Sequence, residues 1–107
     1  MPKYLFIAKY TPVGLRGLFK DGGSKRKADL SDAVKELNGT LESIYFSFGE
    51  NDVYSIASLP DNVSAATVAL NINASGAAKV KTTVLLNPEE IDEATKIGMK
   101  YRPPGAE

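Results

Sequence analysis

Aromatic and aliphatic residues are concentrated in four short stretches of the chain, and Pro, Gly, Asn or Asp residues border these stretches. Short apolar runs that end at turn residues are typical of β-strands. The predicted strands are residues 3–10, 40–48, 52–59 and 78–86. Because few residues separate the second strand from the third, these two are expected to form an antiparallel hairpin.

Helices are predicted between the strands by capping residues and by apolar stripes. The segment from Leu30 to Leu37 carries apolar residues at i, i+3, i+4 and i+7, which is the spacing of one buried helix face. In the last predicted helix, Ile91 and Ala94 are expected to face inward. The predicted helices are a two-part segment from Thr11-Pro12 to Asn38-Gly39 that breaks at Asp21-Gly22-Gly23, a segment from Pro60-Asp61 to Gly76, and a helix that begins at Asn87-Pro88.

The predicted order of elements is strand, helix, strand, strand, helix, strand, followed by a C-terminal helix. This βαββαβ order is the ferredoxin-like arrangement of the α+β class. Right-handed crossovers then give a four-stranded antiparallel sheet with its helices on one face. By analogy with that arrangement, the first and third strands are expected to lie in the centre.

Both faces of the predicted sheet are apolar. On the first strand, Tyr4, Phe6 and Ala8 share one face, and Leu5 and Ile7 share the other. At about 25 cal/mol per Å² of apolar surface, leaving one such face in water forgoes several kcal/mol. An antiparallel sheet tolerates some exposed apolar side chains. The favoured alternative is that a second copy covers this face, sheet on sheet, as in a dimeric α+β barrel.

The composition narrows the function classes. The 107 residues correspond to one domain, residues 1–107, with a flexible tail over about 101–107. Thirteen basic residues balance thirteen acidic ones, so neither nucleic acid nor a membrane is an expected partner. No segment suits a membrane span or a signal peptide, which favours a cytoplasmic location. Cysteine and histidine are absent, so no metal or cofactor is expected, and acid–base chemistry would fall to Asp, Glu, Lys or Tyr.

Three blocks cover most of the chain: KYTPVGLRGLFKDGGSKRKA (9–28), LESIYFSFGENDVYSIASLPD (41–61) and AKVKTTVLLNPEEIDEA (78–94). In their order and spacing they resemble the GYD domain family, small bacterial proteins of poorly understood function. Gly49 and Asp52 are similar to the glycine and aspartate of the tripeptide that names the family, whereas Asn51 stands where a tyrosine is usual. The resemblance implies a fold of the dimeric α+β barrel group and implies no established reaction.

Ionisable residues are expected at one end of the sheet face that lacks helices. Asp52 begins the third strand, and Lys9 ends the first strand beside it. Alternation places Tyr54 and Lys81 on the same face, and Tyr45 joins them if the register allows. A few polar groups in an apolar cleft are typical of a small-molecule site. The alternative is that Asp52 only closes the hairpin turn or pairs with Lys9.

Two other features have a functional and a structural interpretation. The start of the first helix offers the backbone N–H groups of Thr11, Val13 and Gly14 to an anion, unless the Thr11 cap already uses them. The basic run Lys25-Arg26-Lys27 lies among acidic residues and contains no aromatic residue. We therefore interpret that run as a solvated helix face rather than a nucleic-acid site.

Three functions stay open. The first is an oligomeric protein whose partners are further copies of itself and a small metabolite with an apolar body and an anionic group, which would match Lys9 and Lys81. The second is a cofactor-independent enzyme of the dimeric α+β barrel type that uses Asp52, Tyr54 or a lysine. The third is a module whose open face serves only to assemble subunits.

Overall fold

The structure is a computed structural model that describes residues 1–106. Its elements occur in the predicted order, so the ferredoxin-like α+β arrangement with a C-terminal helix is confirmed. They are β1 (Lys3–Tyr10), α1 (Pro12–Glu36), β2 (Thr40–Phe46), β3 (Val53–Ser58), α2 (Asn62–Ser75), β4 (Ala78–Leu85) and α3 (Pro88–Lys96).

The sheet is antiparallel throughout and has the strand order β2-β3-β1-β4, so β1 and β3 are central, as predicted. In the register, Ala8 of β1 lies opposite Val53 of β3 and Val80 of β4. The strand β2 ends at Phe46, two residues earlier than predicted, because the chain turns there and the Ser47 N–H donates to the Asp52 carbonyl at 2.8 Å.

Two helical pieces make up α1, as the Asp21-Gly22-Gly23 signal predicts. Gly22 joins them with φ 80° and ψ 168°, a conformation that favours glycine. At the other end, Thr11 caps the helix, with its side chain accepting from the Gly14 N–H at 3.3 Å. The bend at Gly22 lets the second piece follow the sheet in a direction different from the first.

The core lies between the sheet and the two helices α1 and α2. From β1 it takes Tyr4 and Phe6, the alternate residues that the sequence assigns to one face. The Tyr4 hydroxyl donates to the Asn62 side chain at 2.7 Å, which satisfies the one polar group of that buried ring. The other buried core residues are Val34, Ala57, Leu59, Ala65 and Val68.

The helix α3 contributes nothing to this core. None of its residues is buried, and Ile91 is nearly half exposed, so the prediction that Ile91 and Ala94 face inward is wrong. The physical reason is that α3 projects beyond the sheet instead of folding back on it. The Cα radius of gyration is 17.2 Å, whereas a compact chain of this length has about 13 Å.

The C-terminal residues after α3 form no regular element apart from a turn in which the Ala106 N–H donates to the Pro103 carbonyl. The predicted flexible tail ends in Glu107, which lies outside the described residues. Within residues 1–106, no helix combines the length and the apolar character needed to cross a membrane.

Candidate functional site on the open face of the sheet

The side of the sheet that faces away from α1 and α2, called here the open face, carries all five predicted site residues at one end. Tyr45 lies opposite Tyr54, Tyr54 opposite Ile7, and Ile7 opposite Lys81. These pairs form one row across the four strands, which are about 4.8 Å apart. The register therefore places Tyr45 beside Tyr54 on the open face, a position that the sequence analysis had made dependent on the register.

Lys9 and Asp52 lie next to this row. The Lys9 Nζ atom is 3.5 Å from Asp52 Oδ1, and the two side chains are 53% and 13% exposed. An ion pair with one partner this open to water contributes little, about 0–1 kcal/mol. The pair brings the two residues together as predicted, but its charge–charge contact alone does not explain the burial of Asp52.

Asp52 is also built into the backbone of the hairpin. Its Oδ2 atom accepts a hydrogen bond from the Tyr10 N–H at 2.8 Å, and its own N–H donates to the Ala8 carbonyl at 2.9 Å. The carboxylate thereby holds the end of β1, beyond the last residue pair of the β1–β3 ladder. In the single chain Asp52 thus has the structural role that the sequence offered as its alternative. Its part in ligand binding stays a prediction.

The sequence interpretation missed Lys79. This residue lies directly opposite Lys9 in the β1–β4 register, and Lys81 follows two residues later on the same face. The signal was present as the alternation of Lys79, Val80 and Lys81. Three lysines and one carboxylate share this end of the open face, and like charges opposite each other in a sheet repel. An anion placed among them would relieve that repulsion.

The opposite end of the open face has a different charge pattern. There the Lys3 ammonium and the Ser58 hydroxyl both donate to the Glu42 carboxylate. The Lys3 hydrogen bond, followed by that from Ser58, holds the pKa of Glu42 below its ordinary value. This acid is therefore already paired, and the free positive charge lies at the Lys9 end.

Apolar side chains lie between these two ends. Leu5 pairs with Ile56, and Ile7 with Tyr54, across the two central strands. Leu5, Ile7 and Ile56 are half-buried in the single chain, with no helix above them. The open face is therefore an apolar strip with a basic end.

The best-defined cavities within residues 1–106 lie between the sheet and the helices, between α1 and α2, and beside the hairpin. Of the five predicted residues, Asp52 borders one of these cavities. Within residues 1–106, no group of three acidic side chains is placed to hold a metal ion.

The start of α1 has less capacity for an anion than its sequence suggests. The Thr11 N–H donates to the Ala77 carbonyl at 2.9 Å, and the Gly14 N–H donates to the Thr11 side chain. Two of the donors that the sequence offered to an anion are thus already used. The Thr11 bond docks the start of the helix on Ala77, just before β4, and the Gly14 bond caps the helix.

The fold and the open face define a class of protein: a small ferredoxin-like α+β domain with an apolar and basic sheet surface. The sequence profile of the GYD domain matches residues 4–95, nearly the whole chain. The chain belongs to the GYD domain family. Searches of curated proteins and of solved structures each found no match.

Proposed function

We propose that the protein is a self-associating domain that binds a small molecule, with the ligand held in a cleft that forms when a second copy covers the open face. The observation that carries this proposal is the basic end of a sheet surface with an apolar middle, where Lys9, Lys79 and Lys81 share one end with a single acid, Asp52. The ligand would have an apolar body and an anionic group.

The open face alone is smaller than the usual protein–protein interface. Strands of six to eight residues in a four-stranded sheet present roughly 450 Å² per chain, so a sheet-on-sheet pair buries on the order of 900 Å² in total. Specific interfaces usually bury about 1,200–2,000 Å². A further surface is therefore needed, and α3 supplies one.

The apolar side chains on and after α3 have no cover in their own chain. Ile91, Ile97, Met99 and Tyr101 are all exposed. The helix is nonetheless well specified, because Asn87 and Glu90 form a capping box at its start. A defined amphipathic helix that projects from the domain is suited to pack on a neighbouring copy.

The basic end supports the choice of an anionic ligand. Covering the open face removes water from three lysines, and unpaired charge is costly to bury. A carboxylate or phosphate group would offset that cost. Tyr45 and Tyr54 beside the lysines would contact the apolar body and donate from their hydroxyl groups.

Thermal unfolding with a panel of metabolites tests the site. We expect carboxylated or phosphorylated compounds with an apolar body to raise the melting temperature of the wild-type protein, since a ligand that binds only the folded state stabilises it. The double variant Lys9→Ala and Lys81→Ala should lose that increase. The matched control is the double variant Lys27→Ala and Lys35→Ala, which removes two exposed lysines from α1. This control should show the same ligand-induced increase in melting temperature as the wild-type protein. If the same compounds raise the melting temperature of the Lys9 and Lys81 double variant by as much as that of the wild-type protein, the binding site lies elsewhere.

A further inference from the structure

The helices α1 and α2 both pack on the sheet, α1 mainly on β2 and α2 on β4. Between the sheet and the helices lies a cavity of about 90 Å³. Its walls are almost entirely apolar, and Ser55, which is 3% exposed, is the buried polar residue on its sheet side.

Arg26 lies where this cavity meets a wider groove. The residue lines both the cavity and a groove of about 400 Å³ between the first piece of α1 and the end of α2. Its neighbours Lys25 and Lys27 are exposed, whereas the Arg26 side chain is only 39% exposed. The basic run is thus accessible to solvent, and its middle residue also borders the cavity.

Among residues 1–106, the Arg26 guanidinium has an ion-pair partner but no side-chain or backbone hydrogen-bond acceptor. Within residues 1–106, its ion-pair partner is Asp29, and the distance from Nη1 to Oδ2 is 3.7 Å, too long for a hydrogen bond. Lys25 contacts the same carboxylate more closely, at 3.2 Å. A guanidinium carries five N–H donors in a planar fork that suits a carboxylate. An arginine at the mouth of an apolar cavity, with donors open to solvent, suits an acid whose carboxylate stays at the mouth and whose apolar body enters the cavity.

We infer that this cavity is a second binding site, which takes a small aliphatic carboxylic acid with its carboxylate on Arg26 and its hydrocarbon body against the sheet. It is independent of the open-face site, because it lies on the opposite side of the sheet. An apolar cavity of about 150 Å³ holds benzene, so one of about 90 Å³ holds a body of about four carbon atoms. Pentanoate matches that size.

Titration of the full chain with acetate, propionate, butyrate, pentanoate and octanoate, followed by amide NMR shifts, tests this site. Each added methylene should tighten binding by about fourfold until the cavity is full, since burying one is worth about 0.8 kcal/mol. The gain should stop near pentanoate. The shifted amides should belong to residues around the cavity, such as Ala8, Arg26 and Ser55.

Two variants and a control decide the assignment. Arg26→Gln should weaken pentanoate binding at least tenfold, whereas Lys27→Gln on the same helix should leave it unchanged. Ala8→Val keeps Arg26 and places two methyl groups in the cavity wall, so it should also block pentanoate. Affinity that is independent of chain length, or equal in Arg26→Gln and Lys27→Gln, would overturn the inference. The Lys9→Ala and Lys81→Ala double variant should bind pentanoate normally, which separates this site from the open-face site.

Discussion

Replacement of Asp52 by alanine separates its structural role from any ligand role. In the wild-type protein the carboxylate accepts the Tyr10 N–H at 2.8 Å and lies 3.5 Å from the Lys9 ammonium. The hydrogen bond has a charged acceptor and is largely shielded from water, so its loss costs about 1.5–3 kcal/mol. The exposed Lys9 contact adds at most about 1 kcal/mol. We expect Asp52→Ala to lose about 2 kcal/mol.

Thermal unfolding at fixed protein concentration measures this loss. For a domain of this size, about 2 kcal/mol corresponds to a melting temperature about 8–16 °C lower. Asp52→Asn keeps a side-chain oxygen for the Tyr10 N–H and should lose less than half as much. Lys9→Ala removes only the ion pair, worth at most about 1 kcal/mol, and should lower the melting temperature by no more than about 4–8 °C. Equal losses in Lys9→Ala and Asp52→Ala would refute the reasoning, because they would show that the ion pair, rather than the backbone hydrogen bond, holds Asp52.

The remaining predictions concern packing, pH and assembly. A Cβ atom on Gly14 would lie 1.9 Å from the Ala77 carbonyl oxygen, whereas a Cβ atom on Gly17 meets nothing within 4 Å. Chemical denaturation should therefore show that Gly14→Ala lowers the free energy of unfolding by about 1–3 kcal/mol. Gly17→Ala should raise it by about 0.5–1 kcal/mol. The pKa of Glu42 is lower in the folded state than its ordinary value. The ionised Glu42 therefore stabilises the folded state at pH values above the ordinary carboxyl pKa, and this stabilisation is lost as the pH falls through the folded-state pKa. Glu42→Gln should therefore show a shallower loss of stability in acid, and an unchanged acid profile would contradict this. Ile91→Asp should weaken assembly, measured by dilution in light scattering, yet leave the circular dichroism of the domain intact; unaltered association would show that α3 is not in the interface.

Local signals in the sequence were enough to predict most of the fold. The apolar run between Pro2 and Thr11-Pro12 predicted β1 at residues 3–10, and the capping residues Thr11, Asp61 and Asn87 each precede a helix in the structure. The capping signals depend on hydrogen bonds between residues close in the chain, so they do not need knowledge of the tertiary structure.

Local signals in the sequence could not predict the direction in which α3 projects. The capping box at Asn87 specifies that the helix forms, but not what its apolar side contacts. That choice depends on surfaces distant in sequence, or on another copy of the chain. The same limit explains why Ile91 was assigned to the core.

The candidate site was predictable in part. Alternation placed Lys9, Tyr54 and Lys81 on one face, and the β1–β4 register adds Lys79 by pairing it with Lys9. The pairing of Asp52 with Lys9 was among the alternatives, but its hydrogen bond with the Tyr10 N–H depends on the tertiary structure. The Arg26 cavity was not predictable, because it depends on how α1 and α2 pack on the sheet.

The mass of the protein in solution, from sedimentation equilibrium at micromolar concentration, tests the central proposal most directly. One chain has a mass of 11.5 kDa, and we expect a species of at least twice that mass. Ile7→Glu on the open face should lower the measured mass toward that of a single chain. Phe48→Glu, at a fully exposed position in the hairpin, should leave the measured mass unchanged. A folded, stable wild-type species with the mass of one chain would contradict the proposal that a second copy covers the open face.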